Sequence, residues 1–196
     1  MAAFDRVHDV QLAFRGLLRA FTFPGTLVDL AATAERLGSL LPPTPAPAGL
    51  LLAAATLIDN ETTYWSDQAE VTRFLTEWSA SAPSPASASA FLVVATFDDA
   101  RLAGVLERAR TGTLIDPHLG ATVLVGVDEL DTGSPVTLTG PGLEHPLTCH
   151  LPSGERWLAA RNARVSEFPL GLDLAFFDAR GRVLALPRTT QTRGGT

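Results

Sequence analysis

A single three-layer α/β domain, with a mixed sheet and helices on both faces, is the fold this sequence predicts. Three observations carry the prediction. Stretches with apolar residues at helical spacing alternate with continuous apolar, β-prone runs, most clearly 91–96 and 121–127. A strand that is apolar at every position must be covered on both faces. Short strand candidates near the C-terminus follow one another too closely for crossover helices, so they pair antiparallel and make the sheet mixed. Finally, 196 residues with 46% apolar composition suit one well-buried domain. That domain is assigned to residues 1–190, with 191–196 read as a flexible C-terminal tail.

The elements follow in order. Residues 5–21 carry Val7, Val10, Phe14, Leu17, Leu18 and Phe21 at helical spacing, and Asp5 is a capping residue. Phe23-Pro24-Gly25-Thr26 breaks that helix, and 27–30 predicts a short strand. A weaker helix spans 31–41, and the proline-rich 42–47 is a stiff surface segment. The run 49–58 predicts a buried helix, 62–65 a strand, and Asp67 the cap of a helix reaching Trp78. The small, polar stretch 79–90 is a loop. Helix 98–110 lies between the strands 91–96 and 121–127. Strands at 135–139 and 147–151 flank the turn Gly140-Pro141-Gly142, and Ser153 caps a helix ending near Val165. Last comes a hairpin: two apolar runs around Asp178-Ala179-Arg180-Gly181, the second ended by Pro187, which has no N–H to give a ladder.

Composition excludes some chemistry. All 15 basic residues are arginine, so the chain has no lysine amine for a Schiff base, for the internal aldimine of a pyridoxal-phosphate enzyme, or for a phosphate-binding loop of the ATPase type. A net charge of −6 and a pI near 5.1 make nucleic acid and anionic membranes poor partners. The richest apolar run, 50–58, is about half the ~20 residues a membrane span needs. No signal peptide is expected from the first residues. The single cysteine, Cys149, permits no internal disulfide, which fits a cytoplasmic protein.

Five segments carry a more specific message. They are Phe14-Arg15-Gly16-Leu17-Leu18-Arg19-Ala20 with Pro24-Gly25; Leu57-Ile58-Asp59-Asn60-Glu61-Thr62; Thr111-Gly112-Thr113 with Pro117 and Gly120-Ala121-Thr122; Leu138-Thr139-Gly140-Pro141-Gly142; and the terminal cassette Phe168-Pro169-Leu170-Gly171-Leu172-Asp173 with Leu186-Pro187-Arg188-Thr189-Thr190. In this order, over almost the whole chain, they resemble the landmarks of the PhnH family, a subunit of the bacterial carbon–phosphorus lyase system. The chain departs from the family pattern at 42–48, 79–90 and after Thr190. The resemblance implies a fold like the large domain of pyridoxal-phosphate-dependent transferases without the cofactor, and the missing lysine agrees. It also implies a homodimer that joins other subunits of the core complex in phosphonate catabolism. That machinery transfers the ribose-triphosphate moiety of ATP to a phosphonate with loss of adenine. The family assigns no firm catalytic residue to this subunit. The alternatives are a stand-alone nucleotide or phosphonate transferase or hydrolase, and a purely structural dimerisation module.

The side-chain chemistry narrows the candidate sites. His8, His118, His145 and His150 form no metal-like pair, and Cys149 and His150, neighbours on a strand, point to opposite faces. No metal site, no iron–sulfur ligand set and no cofactor are expected. Asp59 and Glu61 resemble a carboxylate pair, but Asn60 and Thr62 favour a solvated turn. Gly112 and Gly120 read as tight turns beside a strand rather than a phosphate loop. Arg188, followed by Thr189 and Thr190, is a candidate contact for an anion or a partner. The competing reading is a salt bridge to Asp173 across the hairpin. Trp157 reads as core, with an interface anchor as the alternative.

Overall fold

The computed structural model describes residues 3–165 and 168–194. In chain order the elements are α1 (His8–Thr22), β1 (Val28–Asp29), α2 (Ala31–Gly38), α3 (Ala48–Leu57), β2 (Tyr64–Ser66), α4 (Ala69–Ser79), β3 (Phe91–Val94), α5 (Asp99–Arg108), β4 (Thr122–Gly126), β5 (Ser134–Thr139), β6 (Leu147–Leu151), α6 (Glu155–Arg164), β7 (Asp173–Phe177), β8 (Arg182–Leu186) and β9 (Gln191–Gly194). A short 3₁₀ turn, Pro117–Leu119, precedes β4.

The main sheet is mixed and six-stranded, in the order β1-β8-β7-β4-β3-β2. β2, β3, β4 and β7 are parallel, and β8 pairs antiparallel with both β7 and β1. Side chains alternate across each strand, so the continuous apolar runs feed two cores. Leu124, Val93, Ala175 and Phe177 face a core shared with α1–α4, whereas Val123, Val125, Leu92, Leu174 and Phe176 face one shared with α5 and α6. The expected α/β layering with helices on both faces is therefore present, as is the terminal hairpin, with Leu174 opposite Leu186.

The connections hold a topological surprise. β2 steps to β3 through α4 in the first core, and β3 steps to β4 through α5 in the second. Both steps run the same way across the sheet on opposite faces. The two crossovers are therefore of opposite hand, and one departs from the right-handed rule.

Several expectations are corrected. β5 and β6 do not extend the main sheet. They form a second, antiparallel sheet in the order β6-β5-β9, laid over the α5–α6 side. Their alternation of wet and dry positions, with Val136, Leu138, Cys149 and Leu151 inward, suits a sheet covered on one face. Residues 191–194 are its third strand, β9, paired with Val136–Thr139, and not a tail; 195–196 lie outside the described residues.

α1 turns a different face inward than the sequence reading gave it. Asp9, Ala13, Leu17 and Ala20 are buried, whereas Val7, Phe14 and Leu18 are exposed. Asp5 does cap it, accepting from the Val7 and His8 N–H groups at 2.9 Å each. Asp67 does not cap α4; its Oδ1 accepts from the Ala95 N–H at 2.9 Å. Ser153 does not cap α6. That role falls to Asp99 on α5, which accepts from the Trp157 N–H at 2.9 Å and so fixes one helix on the other. Trp157 is core: its ring lies edge-on to Phe176 at 5.2 Å and its Nε1–H donates to the Pro152 carbonyl.

Candidate functional site

At the N-terminal ends of β4 and β7, landmark residues far apart in sequence converge on Arg188. Its backbone N–H donates to Asp173 Oδ1 at 2.7 Å, and its Nε and Nη2 donate to Oδ2 at 3.0 and 2.5 Å. Nη2 also reaches the Gly120 carbonyl at 3.3 Å, and Nη1 donates to the Pro117 carbonyl. Every guanidinium nitrogen thus has a partner within the chain. The salt bridge to Asp173 weighed in the sequence is present. Gly120 is required by this approach: a Cβ there would lie 2.5 Å from Arg188 Nη1 and 2.7 Å from the Gly171 carbonyl. The Gly171 N–H in turn donates to the Thr111 carbonyl at 3.2 Å, and Thr111 bridges Gly120. Phe168 and Pro169, joined by a cis peptide, lead into this knot, with Phe168 exposed.

A buried arginine on α6 completes it, one that the sequence reading passed over. Arg161 is fully buried, and its Nη2 donates to the Pro187 and Thr190 carbonyls at 2.9 Å each, clamping the turn that carries Arg188. Among the described residues no carboxylate stands within ion-pair distance of it. Burial pulls its pKa down to about 10, so it stays charged at neutral pH. Arg161 Nε and the Thr190 hydroxyl are buried without a hydrogen-bond partner among the described residues. The available signal was spacing: Arg161 follows Trp157 by four residues and shares its inward face. Thr189 is half-buried and Thr190 buried.

Other landmarks stand at the same end of the sheet. Pro24 is buried and the Gly25 N–H donates to the Ala185 carbonyl at 3.3 Å, beside the end of β8. Thr113 turns the loop before β4, accepting from the Asp116 N–H at 3.0 Å. Gly112 takes φ +81° in the same loop. Asp59 and Asn60 form the solvated turn before β2: Asp59 Oδ1 accepts from the Glu61 and Thr62 N–H groups at 3.0 Å. Arg15 is apart from these, exposed on α1.

The opposite end of the sheet is open. A cleft of about 820 Å³ lies beyond the C-terminal ends of β3 and β4, with Thr96, Phe97, Asp128, Glu129 and Ser153 in its lining. This is where open α/β sheets usually bind ligands. No landmark residue lines it, and its lining includes two acids and no arginine. The neighbouring N-terminus of α5 is already capped by Asp98, which accepts from the Arg101 N–H at 2.8 Å, and that of α6 by Asp99. A polyphosphate placed here would meet carboxylates. Cys149 is buried in the second sheet, and desolvation pushes its thiol up to about 11, which leaves it protonated and unreactive at neutral pH. No helix is long and apolar enough to cross a membrane among the described residues.

Comparison with known proteins gives the family. The pattern of the bacterial phosphonate metabolism protein PhnH matches residues 2–193. The chain is 33% identical over 186 residues to the C-P lyase subunit protein HtxG of Stutzerimonas stutzeri, covering 92% of this chain and 84% of that one. It is 30% identical over 201 residues to the alpha-D-ribose 1-methylphosphonate 5-triphosphate synthase subunit PhnH of Rhizobium meliloti (strain 1021), covering 95% and 92%. The chain belongs to the PhnH family of bacterial phosphonate metabolism proteins.

Proposed function

We propose that this chain is a cytoplasmic subunit of a carbon–phosphorus lyase core complex, homodimeric and assembled with other subunits, in organic phosphonate catabolism. The observation that carries the reading is the match over nearly the whole chain to a family whose relatives are named as subunits of that machinery. With its partners it is required for transfer of the ribose-triphosphate moiety of ATP to methylphosphonate. In that reaction the bond from the anomeric carbon to adenine breaks, a phosphonate oxygen takes its place, and adenine leaves.

Geometry supports an accessory role. Arg188 is already saturated by Asp173 and two carbonyls, so in this reading it shapes a rim for partner subunits instead of gripping an anion itself. The fold is read as resembling the large domain of pyridoxal-phosphate-dependent transferases without the cofactor. A chain without lysine cannot hold that cofactor as a Schiff base.

The test is genetic and biochemical. Deleting the gene abolishes growth on methylphosphonate as sole phosphorus source and spares growth on phosphate; growth on both overturns the reading. The purified chain alone releases no adenine from ATP and methylphosphonate, and the reconstituted complex does. Turnover by the chain alone would overturn the accessory role. Arg188→Ala separates the roles: it lowers assembly and adenine release together.

A further inference from the structure

The outer face of α1 is left uncovered by the described residues, and it carries the first landmark segment. Val7, Phe14 and Leu18 are 82%, 50% and 57% exposed, while the same helix buries Ala13, Leu17 and Ala20 against the core. Residues 7, 11, 14 and 18 follow the 4-3-4 spacing of a helix–helix seam, with Gln11 as its polar member. Arg15 and Arg19 directly follow Phe14 and Leu18. Each stands about 100° further round the helix, so both lie on one flank of the seam. Both are exposed, and neither guanidinium makes a hydrogen bond or ion pair with a described residue. The chain as a whole carries −6, so this face is a cationic, apolar stripe on an acidic protein.

We infer that this stripe docks an acidic, apolar-edged helix of another subunit of the complex, and not a second copy of this chain. Charge selects the occupant. A second copy laid antiparallel on the seam would bring the Arg15 flank against the same flank of its mate, like charge against like. A partner helix with Asp or Glu beside its apolar seam meets Arg15 and Arg19 with opposite charge and covers Phe14 and Leu18. The inference rests on the reading of the chain as a complex subunit.

The experiment co-expresses the chain with the remaining carbon–phosphorus lyase subunits of its own host and recovers the complex through a tag on another subunit. Arg15→Glu with Arg19→Glu, and separately Phe14→Ser with Leu18→Ser, each lower the recovered chain about tenfold. The wild-type yield falls between about 0.05 M and about 0.5 M salt. Arg73→Glu with Arg108→Glu makes the same change in net charge on α4 and α5 and leaves recovery unchanged. Circular dichroism and melting of the isolated variants match wild type, because the altered side chains are exposed. Unchanged recovery of both α1 variants in a complex that does form overturns the docking surface and leaves the subunit reading intact. Conversion of a dimer to a monomer by the α1 variants, read by sedimentation, makes the second copy the occupant and overturns the inference. Failure of the wild type to enter any complex overturns both.

Discussion

The two ends of the parallel strands differ in kind. At the C-terminal end the sheet opens into a cleft with an acidic lining and no landmark residue. At the N-terminal end, Gly120, Gly171, Asp173, Pro187 and Arg188 lock together, with Arg161 clamping the turn from below. In most open α/β sheets the first end carries the chemistry. Here Gly120, Gly171, Asp173, Pro187 and Arg188 gather at the second, where their visible work is to hold one another.

The largest expected effect tests the packed end. Asp173→Ala leaves the partly buried Arg188 without its counter-charge and costs about 3 kcal/mol in urea denaturation. A loss under about 0.5 kcal/mol would mean that the knot is no firmer than the cleft. Next comes Cys149. With burial pushing its pKa up to about 11, thiol labelling of the native protein at pH 8 runs about a hundredfold slower than in urea. The sign of the linked stability follows. The buried neutral thiol contributes below the unfolded-state pKa, and that contribution is lost as pH climbs through about 11. Equal labelling rates would place a reactive group in the second sheet. Gly120→Ala is expected to cost about 2 kcal/mol, because the added methyl collides with Arg188 and the Gly171 carbonyl. The smallest effect belongs to the open end. Asp128→Ala, an exposed change in the cleft, shifts stability by less than about 0.5 kcal/mol. A large loss there would erase the contrast between the two ends.

Much of the architecture was legible in the sequence, because fully buried strands and helices announce themselves by apolar runs that need two cores. What escaped was decided by distant partners. α1 was read with its largest apolar residues inward. Close packing against α3, β1 and β8 instead selects small ones, Ala13 and Ala20, and turns Phe14 and Leu18 outward. Asp67 and Ser153 sit at good capping positions. Their helices begin differently because Asp67 bonds the Ala95 N–H and Asp99 reaches α6 from another helix. Arg161 went unnoticed because an arginine in a helix reads as solvated. The carbonyls of a turn 26 to 29 residues later make its burial tolerable. β9 was hidden by its polar composition, Gln191-Thr192-Arg193-Gly194, which signals neither a core nor an edge until β5 is beside it.

β1 sits at the sheet edge and pairs only with β8, whose own neighbour is β7. The second sheet is likewise completed by the last described strand. As the polypeptide leaves the ribosome, its first strand therefore has no seat until more than 150 residues have followed it, Val28 meeting Val183. Folding cannot proceed vectorially from the amino terminus. A transcript cut short before β8 would yield a chain with β1 unpaired, α1 packed only on its α2–α3 side and both sheets unfinished, material for quality-control proteases and not a smaller working subunit.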